Sequence, residues 1–104
     1  MYRVVLIDDD PMVVDCLLRG IPWADYGCEV VGTAADAAEG AAQIRRHWPH
    51  MLFTDIRMPG EDGLSMLSEL RQEFPDMQVA ILTGLRDFDA AQKAIRLGVT
   101  RYLL

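Results

Sequence analysis

Cysteine is scarce in this sequence: Cys16 and Cys28 are the only two, and no CxxC spacing joins them. That excludes a disulfide scaffold and predicts two buried, reduced thiols in a cytosolic protein. Long apolar runs are missing as well. None approaches the ~18 residues of a membrane span, and the charged start MYRVVLIDDD lacks the apolar segment of a signal peptide. No membrane partner is expected. Basic residues are short too, with 10 Lys and Arg against 16 Asp and Glu, a formal charge of -6. Direct nucleic-acid binding, which needs clustered cations to displace counterions, is therefore not expected. Repeats, linkers and low-complexity segments are absent, and 104 residues fit one domain. With 51% hydrophobic residues the chain can build a core without staples.

What is present is an alternation of two apolar periods. YRVVLI (2–7) is a short, nearly continuous β-branched run, the pattern of a strand buried on both faces. PMVVDCLLRGI (11–21) has helical spacing, with Pro11 suited to a first turn. IPWADYG (21–27) reads as a loop and CEVVGTA (28–34) as a second strand. DAAEGAAQIRRHW (36–48) is an Ala-rich helix with Asp36 as N-cap and Pro49 as its stop. Gly40 inside it costs ~1 kcal/mol relative to Ala, so the helix is either weak or closely packed there. MLFT (51–54) is the third strand. GLSMLSELRQEF (63–74) is a helix with Asp62 as its cap and Leu64, Leu67, Leu70 and Phe74 on one face. MQVAILT (77–83) is the fourth strand, DFDAAQKAIRLG (87–98) a fourth helix, and VTRYLL (99–104) a fifth strand. Strict strand–helix alternation predicts an α/β fold: a flavodoxin-like, five-stranded parallel sheet with right-handed crossovers and helices on both faces.

In such open sheets the functional crevice lies beyond the carboxyl ends of the strands, where the strand order reverses. Asp8, Asp9 and Asp10 directly follow the first strand and Asp55 directly follows the third. In the order 2-1-3-4-5 those strands are neighbours, so Asp8, Asp9 and Asp55 are predicted to converge. Crowded carboxylates repel one another unless some are protonated or a cation sits among them. An oxygen-only donor set with no His or Cys nearby favours Mg²⁺, which is commonly held by one or two carboxylates, waters and a phosphate. A carboxylate there can also act as a nucleophile toward phosphorus. Thr83, ending the fourth strand, could hydrogen-bond a phosphoryl oxygen, and Gly84 would leave room for the group. Asp10, which precedes Pro11, reads most simply as a helix cap.

VLIDDD, TDIRMPGEDG, AILTG and RLGVTRYLL, in that order, resemble the receiver domain of bacterial two-component response regulators along the whole chain. The resemblance implies that Asp55 is the phosphoacceptor, that Asp8 and Asp9 hold Mg²⁺, and that the backbone carbonyl of Arg57 completes the protein's ligands. It implies a switch pair, Thr83 and Tyr102, and a sensor histidine kinase as phosphoryl donor. Partners are expected at the face made by the fourth helix and the fifth strand, where a homodimer could form. IPWADYGCEVVGTA and RDFDAAQKAIRLGVTRYLL look like receivers fused to a C-terminal AraC-type helix-turn-helix DNA-binding domain.

The pattern departs in one place. Receivers carry a Lys after the fifth strand, commonly followed by Pro, and a last helix; residues 1–104 stop before both. Lys93, inside the fourth helix, cannot replace that Lys. The expectation is a receiver shortened at its end, part of a longer protein, with one sheet face left partly bare. Two other readings remain. A haloacid-dehalogenase-like phosphatase would carry a second Asp two residues after the nucleophile, where this chain has Arg57. A pseudo-receiver would be a protein-interaction module that never takes phosphate. Arg57 itself reads either as a gate on water or as a solvated loop residue. His47 and His50 fall at the wrong end of the sheet for chemistry and are expected on the surface. Trp23 and Trp48 read as partial core or loop anchors, and the six Met residues as gap-fillers.

Overall fold

The computed structural model of the chain describes residues 1–55, 63–82 and 101–103. β1 (Tyr2–Ile7) leads to α1 (Pro11–Gly20), a single 3₁₀ turn (Trp23–Tyr26) and β2 (Cys28–Ala34). α2 (Ala37–His47), β3 (Met51–Thr54), α3 (Gly63–Glu73), β4 (Gln78–Leu82) and β5 (Arg101–Leu103) follow. All strand pairs are parallel, in the order β2-β1-β3-β4-β5. The fold is therefore the expected flavodoxin-like α/β sheet, with the order reversing between β1 and β3.

β1 is buried on both faces, as its uniform β-branched run requires: Val4, Val5, Leu6 and Ile7 are at most 2% exposed. One face carries the larger core, where Val5, Ile7, Leu52, Val79 and Ile81 meet Ile44 of α2 and Met66, Leu67 and Leu70 of α3. Met66 and Met77 are buried in it, whereas Met1 and Met12, also read as gap-fillers, are exposed. The opposite face is thinner. Among the described residues its buried members are Val4, Leu6 and Cys28, with Leu17, Trp23, Val30, Met51 and Phe53 only partly covered. α1 lies on this side and none of its residues is buried. Cys16, expected inside, is exposed on α1, whereas Cys28 is buried. The correction has a simple cause: a helix with no buried residue has no interior position to offer its thiol.

The stretch read as a loop after α1 contains the 3₁₀ turn. Trp23 anchors it by donating from its indole N–H to the Leu17 carbonyl (3.0 Å) and by meeting Phe53 edge-on at 5.5 Å between centroids. Gly27, at φ 71, takes the left-handed conformation that turns the chain into β2. α2 begins at the Asp36 cap, whose carboxylate accepts the Glu39 amide at 2.7 Å. It ends at Trp48, left-handed at φ 49 and 63% exposed, its ring edge-on to Phe74. Arg45 ties α2 to α3 through Glu69 and Glu73.

Gly40 resolves as close packing. A Cβ there would collide with the Ile7 side chain and press on the Met66 sulfur. The glycine lets α2 settle on the last residue of β1, immediately before Asp8. Gly40→Val is expected to lower stability by ~2 kcal/mol or more, because a branched side chain must displace a fully packed Ile. Chemical denaturation measures this, and an unchanged midpoint would refute the close-packing reading.

Candidate carboxylate metal centre

The register sets the site. Ile7 pairs with Thr54 across β1 and β3, so the next residue on each strand, Asp8 and Asp55, emerges at the same level. The ladder continues one step further, with the Asp55 amide donating to the Ile7 carbonyl (2.9 Å) and the Asp8 amide to the Ala34 carbonyl (3.0 Å). A register shift between Val4 and Val5 brings Ile7 opposite Ala34 and makes the second of these possible. Thr54, fully buried, turns its hydroxyl onto the Asp55 carbonyl at 3.0 Å.

Asp8, Asp9 and Asp55 each bring a carboxylate oxygen within 4.8 Å of the others. Their surroundings differ. Asp8 is buried, Asp55 half-buried and Asp9 exposed. Asp9 borders an open groove of about 460 Å³ between Pro11 and Val14 of α1 and Thr33 and Ala34 of β2. One flank of the cluster is thus open to solvent while the other is sealed by the sheet. Burial pushes the Asp8 carboxyl above its ordinary value of 3.8, and the charges of Asp55 and Asp9 push the same way. The Asp10 amide, donating to Asp8 Oδ1 at 2.9 Å, works against them by stabilising the carboxylate. Three acidic groups held this close fit a hard divalent cation, whose charge removes the repulsion.

Asp10 is the cap that its place before Pro11 suggests, accepting the Met12 amide at 2.9 Å. Its backbone link to Asp8 was not legible in the sequence, because a main-chain donor leaves no residue-type signal. His50 is exposed and His47 half-buried. Both lie by the amino edge of the sheet, where Arg3 donates its amide to His50 Nδ1 at 2.9 Å and its Nε to the His47 carbonyl at 3.0 Å. Neither belongs to the carboxylate cluster. Tyr102 sits on β5 opposite Ile81. Arg57, Asp62, Thr83, Gly84 and the predicted helix over 87–98 lie outside the described residues.

The model of the response regulator receiver domain matches residues 4–104. The chain belongs to that family. It is 34% identical over 104 residues to the uncharacterized transcriptional regulatory protein YesN of Bacillus subtilis, covering all of this chain and 28% of YesN. It is 36% identical over the same length to the transcriptional regulatory protein HptR of Staphylococcus aureus, of which it covers 40%. Among solved structures, the receiver domain of AraT, a response regulator from Geobacillus stearothermophilus, superposes with a TM-score of 0.93 at 35% identity. That match covers 99% of this chain and 80% of the other. The receiver spans less than half the length of these curated relatives. Among the described residues, no helix is long and apolar enough to cross a membrane.

Proposed function

We propose that this receiver is a phosphorylation switch in which Asp55 takes a phosphoryl group from the phosphohistidine of a sensor histidine kinase. The observation that carries the reading is the convergence of Asp8, Asp9 and Asp55 within 4.8 Å at the carboxyl edge of β1 and β3. Asp8 and Asp9 hold Mg²⁺ together with Asp55 and the Arg57 carbonyl. When bound, the ion supplies charge neutralisation for the transferring group. The chain's own residues do the rest. An Asp55 carboxylate oxygen forms the new P–O bond as the P–N bond to the donor imidazole breaks, and the imidazole recovers a proton from solvent. Buried Asp8 fixes the inner side of the site, and exposed Asp9 leaves the outer side open to the incoming donor.

Thr83 then turns its hydroxyl toward the phosphoryl oxygens and the Tyr102 ring moves inward. The pair shifts the population of the face made by the fourth helix and the fifth strand. In the longer protein that face controls a C-terminal output domain, of AraC-type helix-turn-helix character, and can support a homodimer. The receiver itself contacts no nucleic acid, and it is cytoplasmic and catalyses only its own phosphorylation and dephosphorylation. The acid trio disfavours the pseudo-receiver alternative, which has no use for three crowded carboxylates.

The test uses acetyl phosphate in place of the kinase. With Mg²⁺ the intact chain is expected to gain one phosphoryl group by mass spectrometry, and with a chelator none. No gain under either condition would favour the pseudo-receiver; equal gain under both would remove the metal from the scheme.

A further inference from the structure

Asp10 joins two structures at once. Its side-chain Oδ1 accepts the Met12 amide at 2.9 Å, and its carbonyl accepts the amides of Val13 (3.1 Å) and Val14 (3.3 Å). It is therefore the cap of α1. Its own amide donates to Asp8 Oδ1 at 2.9 Å. The residue is extended, at φ -94 and ψ 109, the region to which a following proline confines it. No residue of α1 is fully buried, and Val13 and Val14 of its first turn are only half-buried. The cap carries a larger share of holding that turn than it would in a well-buried helix.

We propose that Asp10 is a positioning residue that couples the start of α1 to the orientation of the Asp8 carboxylate, so that Mg²⁺ binding and the first turn of α1 support each other. This rests on the reading of Asp8 as a metal ligand. Coupling of this kind is reciprocal. An ion that favours one orientation of Asp8 favours the Asp10 amide that holds it, and hence the cap. A firmer cap in turn favours the ion. The competing role for Asp10 is a fourth negative charge that attracts the cation from a distance. The two differ in what they need: a cap needs an acceptor oxygen, whereas attraction needs the charge.

The discriminating experiment compares Asp10→Ala, Asp10→Asn and Asp10→Ser in the 104-residue chain. Mg²⁺ affinity is read by calorimetric titration and amide exchange at Met12, Val13 and Val14 is measured with and without Mg²⁺; circular dichroism checks the fold of each variant. In the parent, Mg²⁺ is expected to slow exchange at those amides. Asp10→Ala is expected to bind Mg²⁺ about two- to five-fold more weakly and to lose the slowing, the size set by what a cap is worth. Asn and Ser, both good caps without charge, are expected to match the parent. Affinity unchanged in the Ala variant overturns the proposal. So does a loss in Asn and Ser as large as in Ala, which would assign the effect to charge. A parent that binds no Mg²⁺ overturns it too, and there the ligand reading of Asp8 is the step that failed.

Discussion

With acetyl phosphate and Mg²⁺, Asp55→Asn is expected to gain no phosphoryl group under conditions that label the parent fully. Asparagine preserves the side chain's shape and hydrogen-bonding reach but lacks the anionic oxygen that bonds to phosphorus. The neighbours cannot stand in. Asp8 is buried, with Oδ1 engaged by the Asp10 amide, and Asp9 lies on the exposed flank rather than at the end of β3. Without metal, the substitution also removes one of three crowded charges, so the metal-free variant is expected to stay folded and to melt no lower than the metal-free parent. Unfolding is thereby separated from loss of chemistry. Labelling that persists in a folded Asp55→Asn chain would move the acceptor elsewhere.

Asp8→Asn is expected to reverse its stability ranking with the metal. Without metal, the buried Asp8 carboxylate faces the charges of Asp9 and Asp55, and its proton is held more tightly in the folded chain than in the unfolded one. Such a group contributes stability that is fully present below its ordinary value of 3.8 and is lost as pH rises through the raised folded value. At neutral pH, then, the metal-free protein carries a net penalty, only partly offset by the Asp10 amide, that Asn removes. The variant should melt higher than the parent. The difference between the two should vanish toward the acid end of that window. With Mg²⁺ at a hundredfold excess over its Kd, the parent gains ~2.7 kcal/mol by mass action. The variant, binding about tenfold more weakly or worse, gains less, and the parent becomes the more stable. Thermal melts across pH, with and without Mg²⁺, measure both effects. A metal-free Asp8→Asn chain that melts below the parent at neutral pH would show that the cluster is not strained by its charges.

The elements most legible in the sequence were those whose pattern follows directly from burial. β1, β2 and β3 begin and end where their apolar runs do. α2 starts one residue after the Asp36 cap and ends before Trp48. Asp8, Asp9 and Asp55 were legible together because strand ends and strand order suffice to place them. Besides the Asp10–Asp8 link, three further features were not. The 3₁₀ turn at Trp23–Tyr26 is too short to leave a period, and its anchor includes the Trp23 ring against Phe53 of β3. The exposure of Cys16 depends on what covers α1, which helical spacing alone does not show. The meaning of Gly40 depends on Ile7, a partner far away in sequence. In each case the missing information is tertiary: a contact across the fold rather than a preference along the chain.

The acid at the end of β3 is expected to carry the phosphoryl group while those after β1 hold the ion. Reductive trapping of the acyl phosphate with borohydride, followed by peptide mass mapping, reads this directly. A single Mg²⁺-dependent modification, at Asp55, is expected. Trapping at Asp8 or Asp9, or a modification at Asp55 that forms equally well in the presence of a chelator, would contradict it.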